Sequence, residues 1–278
     1  MAKNYTTADI KALREQTGAG MLDVKKALDE AKGDHAEAIK IIRLKGIKSL
    51  SKREDRSASA GLVVAEVSED GKVGVMVEVN SETDFVAKNQ KFIDFADEVL
   101  KAAVESGANT VAELLAAPLG EGTVKDRVDD MGAVIGEKIE IGRMTRLEAD
   151  KVTKYMHLSN PDLPPQVGVL VGTDTAGQEA AHEIAMHIAA YKPSYLSSAD
   201  VPEDELARER DTLTALTLKE GKPEHIVERI VEGRMRAYFK DNCLLDQDFA
   251  RDPKFTVGQI VEKTGGKVTG FARFQVGA

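Results

Sequence analysis

Five histidines, one cysteine and 47 acidic side chains are the residues of this chain with chemistry to offer. His182 and His187 stand five apart on one prospective helix, which misses the i, i+4 spacing of a helical metal pair. Packing and capping are the expected roles for them; the other histidines are His35, His157 and His225. Cys243 is alone, so an intrachain disulfide and a thiolate metal cluster are both excluded, and it reads as a buried or incidental thiol. Gly18-Ala19-Gly20 lacks the preceding strand and the third glycine of a dinucleotide-binding turn. Neither a GxxxxGK[ST] phosphate loop nor a GxSxG nucleophile elbow occurs. The carboxylates are abundant without being paired. The expectation is therefore a protein with no catalytic residue, no metal and no cofactor, although an enzyme lacking these signatures stays open.

One segment stands apart. Glu78-Val-Asn-Ser-Glu-Thr-Asp-Phe-Val-Ala-Lys88 joins a Val-rich run to a helical pattern, and Thr83, Asp84, Phe85 and Val86 lie at its centre. Two readings compete. In one, Thr83 or Asp84 caps the following helix and Phe85 tucks into the core. In the other, Phe85 projects beside a carboxylate as an anchor, and burying it in a partner is worth about 1.5–3 kcal/mol, the scale of an interface hot spot.

The elements that must position this segment follow from periodicity and punctuation. Residues 1–48 carry three apolar patterns at helical spacing, with Ile10 and Leu13, then Leu22, Val24, Ala27 and Leu28, then Ala38, Ile41 and Ile42. Thr6 or Thr7 is placed to cap the first and Asp34 the third, while Thr17–Gly20 and Gly33-Asp34 supply the breaks. So small a bundle is marginal alone, and its expected job is to present a surface. Residues 49–60, polar and Ser-rich, read as a linker. The stretch from Arg43 to Arg56 is locally basic, but Glu54 and Asp55 dilute it and no aromatic is interleaved for stacking on bases.

Strands begin after Gly61. Leu62–Val67 and Val73–Val79 flank Asp70-Gly71, a hairpin turn signal. The segment 80–89 reads as a loop, followed by helices around Phe92–Ala103, Val111–Ala116 and Val124–Ile135 and by strands at Lys138–Leu147 and Tyr155–Leu158. Val73-Gly-Val-Met-Val77 and Val167-Gly-Val-Leu-Val171 match 94 positions apart, each followed by a polar loop and an Ala-rich helix. Ile141–Arg146 likewise resembles Val268–Arg273. The expected fold class is α+β: a three-helix module, then two related α+β subdomains at 61–150 and 151–278. The second carries a helical hairpin at about 203–241, whose apolar residues include Leu206, Leu213, Leu216, Leu218, Ile226, Ile230 and Met235.

Composition narrows the function classes. The 278 residues are 42% hydrophobic, 31% charged and 5% aromatic without Trp, so the cores must be aliphatic. A net charge of −9 disfavours nucleic acid as a ligand, because phosphate neutralisation needs clustered Lys and Arg. Met1–Tyr5 has no apolar secretory stretch, and no run of about 20 apolar residues is available to span a membrane. A cytoplasmic protein is expected.

Leu13-Arg-Glu-Gln-Thr-Gly-Ala-Gly-Met-Leu-Asp-Val-Lys-Lys-Ala-Leu28 and Glu78–Lys88 resemble the two signature segments of the elongation factor Ts family. Supporting matches are Tyr155-Met-His157, Met186–Ala190, Val231–Met235 and Thr269–Phe274, in family order over essentially the whole chain. The resemblance implies a ubiquitin-associated-like N-terminal bundle and a non-enzymatic guanine-nucleotide exchange factor. Its implied partner is the GTPase elongation factor Tu, both GDP-bound and nucleotide-free. By the same resemblance, Thr83, Asp84, Phe85 and Val86 enter the GTPase domain, with Phe85 wedged between partner helices and Asp84 disturbing the Mg²⁺ site. Arg14, Met21, Leu22 and Lys25 fall at N-terminal contact positions, Ile135 and His157 at core contacts, and Ala250 and Arg251 where some relatives carry apolar contacts. The chain stops at Val276-Gly-Ala278, short of the C-terminal helical extension of longer relatives. Self-association as a homodimer, or assembly as a heterotetramer with the partner, is left open. An interaction adaptor and an RNA-binding translation factor using Arg43–Arg56 are the competing readings.

Overall fold

The computed structural model of the protein describes residues 4–47 and 53–278. The linker reading at 49–60 and the basic stretch from Arg43 to Arg56 fall partly on residues 48–52, outside the described residues. Three helices come first: α1 (Thr7–Thr17), α2 (Met21–Glu30) and α3 (His35–Ile47). Thr6 caps α1 through a reciprocal box with Asp9, and the Asp34 carboxylate accepts the Glu37 amide at the start of α3. The cap holds the Asp9 carboxyl below its ordinary range, through the Thr6 amide first and the Thr6 hydroxyl second. Leu13, Val24, Leu28 and Ala38 close a small aliphatic core.

The bundle is docked on the remainder of the chain. Its seat is α7 (Val124–Ile135). Arg43 makes a two-pronged ion pair with Asp130, at 2.9 and 2.6 Å. Gly46 lets the helices touch, since a Cβ there would fall 1.9 Å from the Ala133 carbonyl oxygen. The Arg53 guanidinium donates to the Gly132 carbonyl at 2.8 Å.

Two three-stranded antiparallel sheets follow. The first has the order β1 (Ala60–Val67), β2 (Val73–Ser81), β5 (Ile139–Glu148). The second has the order β6 (Lys151–His157), β7 (Val167–Thr173), β8 (Val268–Gln275). Between β2 and β5 run a one-turn helix α4 (Asp84–Ala87), α5 (Gln90–Ser106), α6 (Val111–Ala116), a two-residue hairpin of β3 (Pro118–Leu119) and β4 (Gly122–Thr123), and α7. Between β7 and β8 lie α8 (Gln178–Tyr191), α9 (Glu203–Lys219), α10 (Glu224–Asn242) and α11 (Val257–Lys263).

Strand alternation sorts the side chains into layers. Val75, Val77 and Val79 face α5 and α7, while Met76 points the other way. Val169 and Val171 face α8 and α11, while Leu170 points back at Met76's sheet. The result is helices, sheet, sheet, helices, with Val63, Met76, Val152, Leu170 and Phe274 as the filling between the sheets.

The duplication read from the Val-Gly-Val strands extends to their pairing. Val77 opposes Met144, and Val171 opposes Phe271. The ladder is interrupted at Glu78/Val79 in one sheet and at Gly172/Thr173 in the other, the same position of the repeat. The sheets also interlock reciprocally. A Cβ on Gly74 would meet Leu170 at 3.1 Å, and a Cβ on Gly168 would meet Met76 at 2.7 Å. Each half supplies a hole at its Gly and a knob two residues later.

The hairpin of α9 and α10 forms as expected, but its seam is displaced on both helices, and Ile226 and Ile230 are only half-buried beside it. Leu216 and Leu218 are exposed, and the buried contacts come from Val227, Val231 and Met235 against Leu206 and Leu213. Thr217 takes the inner position beside them, its hydroxyl donating to the Leu213 carbonyl and accepting from Arg234. Among the described residues no helix is long and apolar enough to cross a membrane.

Candidate functional site

Segment 80–89 is a loop by pattern, but its centre is the one-turn helix α4. That turn decides between the two readings of Phe85. Val86 and Ala87 face inward and are buried, whereas Phe85 is 74% exposed and Asp84 lies beside it in solvent. Phe85 is not tucked into the core. The Lys88 ammonium lies over its ring, 4.6 Å from the centroid.

The turn is fixed from outside itself. Thr83 occupies the cap position of α4, yet its side chain does not cap. Its hydroxyl donates to Glu137 at 2.7 Å and its amide to the other oxygen of the same carboxylate at 3.0 Å. Glu137 stands one residue beyond Gly136, whose left-handed φ of 90° ends α7 and turns the chain back. A crossed pair of contacts completes the tie, since the Glu82 carboxylate accepts the Lys138 amide at 2.6 Å and Arg56 at 3.2 Å. In the second repeat a single carboxylate serves the corresponding corner. Asp174 accepts the Gly177 amide at 2.8 Å and the Lys267 amide at 3.0 Å, and these bonds hold its carboxyl below the usual range, the Lys267 bond contributing most.

Of the N-terminal positions, Arg14, Met21, Leu22 and Lys25 are all exposed, Met21 and Leu22 as bare apolar side chains at the start of α2. The turn before them abuts the Phe85 segment: a Cβ on Gly18 would lie 3.5 Å from Ile135 and 3.7 Å from Asn89, the cap of α5. Ile135 itself is buried in the core of the first subdomain and offers little surface.

His157, Ala250 and Arg251 sit on the second subdomain, around α8. His157 is exposed at the end of β6, 3.0 Å from the Tyr155 hydroxyl, and Tyr155 packs edge-on against His182. Arg251 pairs with Glu183 on the same helix. The Ala250 amide donates to His187 Nδ1 at 3.2 Å, so the His187 proton sits on Nε2, which donates to the Gln247 side-chain oxygen at 2.8 Å. His187 is buried, stacked on Tyr191, and burial holds its pKa below the ordinary value.

Cys243 is buried and its thiol is pushed up to about 11, chiefly by burial. Tyr195 and Tyr238 both donate to Glu205 at the root of the hairpin. Among the described residues no three His, Cys, Asp or Glu side chains gather as a metal site. Glu137 was not legible as a member of the site, because it lies 54 positions from Thr83.

What the geometry defines is a duplicated α+β scaffold that holds one aromatic side chain outward, beside a docked three-helix module with a bare apolar edge. A sequence profile described as Elongation factor TS matches residues 82–278. The chain is 56% identical to elongation factor Ts of Beutenbergia cavernae, with 99% of each chain covered. It is 54% identical to elongation factor Ts of Micrococcus luteus over 99% of each chain. It is 48% identical to that of Bifidobacterium animalis, over 98% of this chain and 96% of the relative. The chain belongs to the elongation factor Ts family.

Proposed function

We propose that this protein is a non-enzymatic guanine-nucleotide exchange factor for elongation factor Tu, working in the cytoplasm during translation elongation. The observation that carries the reading is Phe85, three-quarters exposed on a one-turn helix whose ends are tied down. Large apolar side chains held rigidly in water are what interface hot spots are made of. In this reading the Thr83–Val86 turn enters the GTPase domain of the partner. Phe85 supplies the wedge, Asp84 brings a carboxylate that competes with phosphate and Mg²⁺ contacts, and Val86 roots the turn in the core.

Thermodynamics sets the terms. A factor that binds the nucleotide-free GTPase more tightly than the nucleotide-bound form weakens nucleotide binding by the same ratio. GDP leaves faster only if the ternary intermediate is destabilised where the nucleotide sits, while the rest of the interface holds the proteins together. Arg14, Met21, Leu22 and Lys25 are proposed to grip the GTPase domain from the N-terminal module, taken as residues 1–48. His157, Ala250 and Arg251 are proposed to meet another domain of the partner from the second subdomain. Ile135 contributes by seating the α1–α2 turn against the core rather than by surface of its own.

The test is release of fluorescent GDP from elongation factor Tu, with the unaltered chain and with Asp84→Ala plus Phe85→Ala. Acceleration that is largely lost in the folded double variant supports the reading. Binding without acceleration by the unaltered chain would favour an adaptor.

A further inference from the structure

The Thr83 side chain is engaged by its own protein, which suggests a different task from that of its neighbours. Both of its donors reach one carboxylate, Glu137, across two elements that are distant in sequence. The next residue on each side repeats the tie in reverse, with Glu82 accepting the Lys138 amide. Two adjacent pairs, Glu82-Thr83 just after β2 and Glu137-Lys138 just before β5, are thus bonded to one another, and Ser81 adds a hydroxyl bond to the Thr83 carbonyl at 3.0 Å. Glu82, Thr83, Glu137 and Lys138 are half-buried, whereas Asp84 and Phe85 are exposed.

We infer that Glu137 is a positioning residue for exchange: its carboxylate clamps Thr83 and thereby presets the one-turn helix that presents Asp84 and Phe85, and Thr83 belongs to the clamp rather than to the contact surface. This rests on the exchange reading above. The physical argument is preorganisation. A one-turn helix has no stability of its own. If the turn is held in its presenting geometry only a fraction of the time, the apparent affinity falls by that fraction. Two hydrogen bonds to a charged, half-buried acceptor are enough to change such a population about tenfold or more.

The experiment measures affinity for nucleotide-free elongation factor Tu and amide hydrogen exchange of residues 83–88 in the free protein. The variants are Glu137→Ala, Glu137→Gln, Thr83→Val and the pair Glu137→Ala/Thr83→Val. Glu137→Ala is also placed in the Asp84→Ala/Phe85→Ala background. Expected are a loss of about tenfold in affinity for Glu137→Ala, with faster exchange across 83–88, and a smaller loss for Thr83→Val, which keeps its amide. Glu137→Gln should lose clearly less than Glu137→Ala, because its single amide oxygen still accepts the Thr83 N–H while its NH2 can donate to the Thr83 hydroxyl, although the charge is gone. The pair should be no worse than Glu137→Ala alone, and Glu137→Ala should cost nothing further once Asp84 and Phe85 are gone. Unchanged exchange at 83–88 in Glu137→Ala overturns the clamp. So does an equal loss in Glu137→Gln, which would make Glu137 a charged contact, or a full further loss in the background lacking Asp84 and Phe85. Failure of the exchange reading shows separately, as absence of GDP release by the unaltered chain, while the hydrogen-exchange arm still decides the clamp.

Discussion

Phe85→Ala should separate binding from folding, and the structure sets the size of both effects. Phe85 is 74% exposed, so folding removes only about a quarter of it from water. Full burial of a Phe side chain is worth about 1.5–3 kcal/mol, which leaves about 0.4–0.8 kcal/mol for the covered part. The exposed Lys88 contact adds about 0.5 kcal/mol, and the better helix propensity of alanine returns a similar amount. The net cost is below about 1 kcal/mol, and the melting temperature should move by no more than about 2–4 °C. The exposed three-quarters are worth about 1.1–2.2 kcal/mol on entering a partner pocket. That is about 6- to 40-fold in affinity for nucleotide-free elongation factor Tu. Calorimetric titration and thermal unfolding of the same two proteins give both numbers. A large drop in melting temperature with unchanged affinity would refute the reasoning and return Phe85 to the fold.

Three further outcomes test the scaffold. Gly168→Ala should destabilise the protein by about 1–3 kcal/mol in urea unfolding, because its Cβ would lie 2.7 Å from both Met76 and Val63 between the sheets. Gly233→Ala, in an exposed stretch of α10 with nothing within 4 Å of the new Cβ, should instead stabilise by about 0.5–1 kcal/mol. His187 makes stability fall as pH drops below 6.5, its ordinary value, since the unfolded imidazole binds a proton that the buried one refuses. The slope is at most about 1.4 kcal/mol per pH unit and should be missing from His187→Gln, compared by urea midpoints at pH 7.5 and 5.5.

The sequence carried the frame of this fold in its local signals. A threonine cap at Thr6 or Thr7, Asp34 before α3 and Asp70-Gly71 between β1 and β2 act where they stand, so they read directly, while the choice of Thr6 and its box with Asp9 came from the structure. The matching Val-Gly-Val strands announced the duplication because both repeats keep the same alternation. What did not read was whatever depends on a partner far along the chain. Thr83 has the composition of a helix cap, and only the arrival of Glu137 diverts it. Phe85 read two ways from its type and spacing, buried or projecting, and the one turn of helix that settles it gives the inner place to Val86. Leu216 and Leu218 fit a helical stripe, but the seam of the hairpin passes through Leu213 and Thr217 instead.

The two halves are most informative where they differ. Both have a central strand whose register shifts at the same point, and both tie the following corner through a carboxylate to the residue just before the neighbouring strand. In the second half the chain then enters α8 directly from Gly177. In the first half the same corner is drawn out into α4 before α5 begins. The single tie at Asp174 is there replaced by two, Glu82 and Glu137. An extra turn with an exposed aromatic is a burden on folding, since its apolar surface stays in water and its ordering costs entropy. The additional carboxylate appears at the place where that burden has to be held in shape. The departure from repeat symmetry and the extra clamp are therefore one feature, and it is the feature on which the protein's action on a partner would turn.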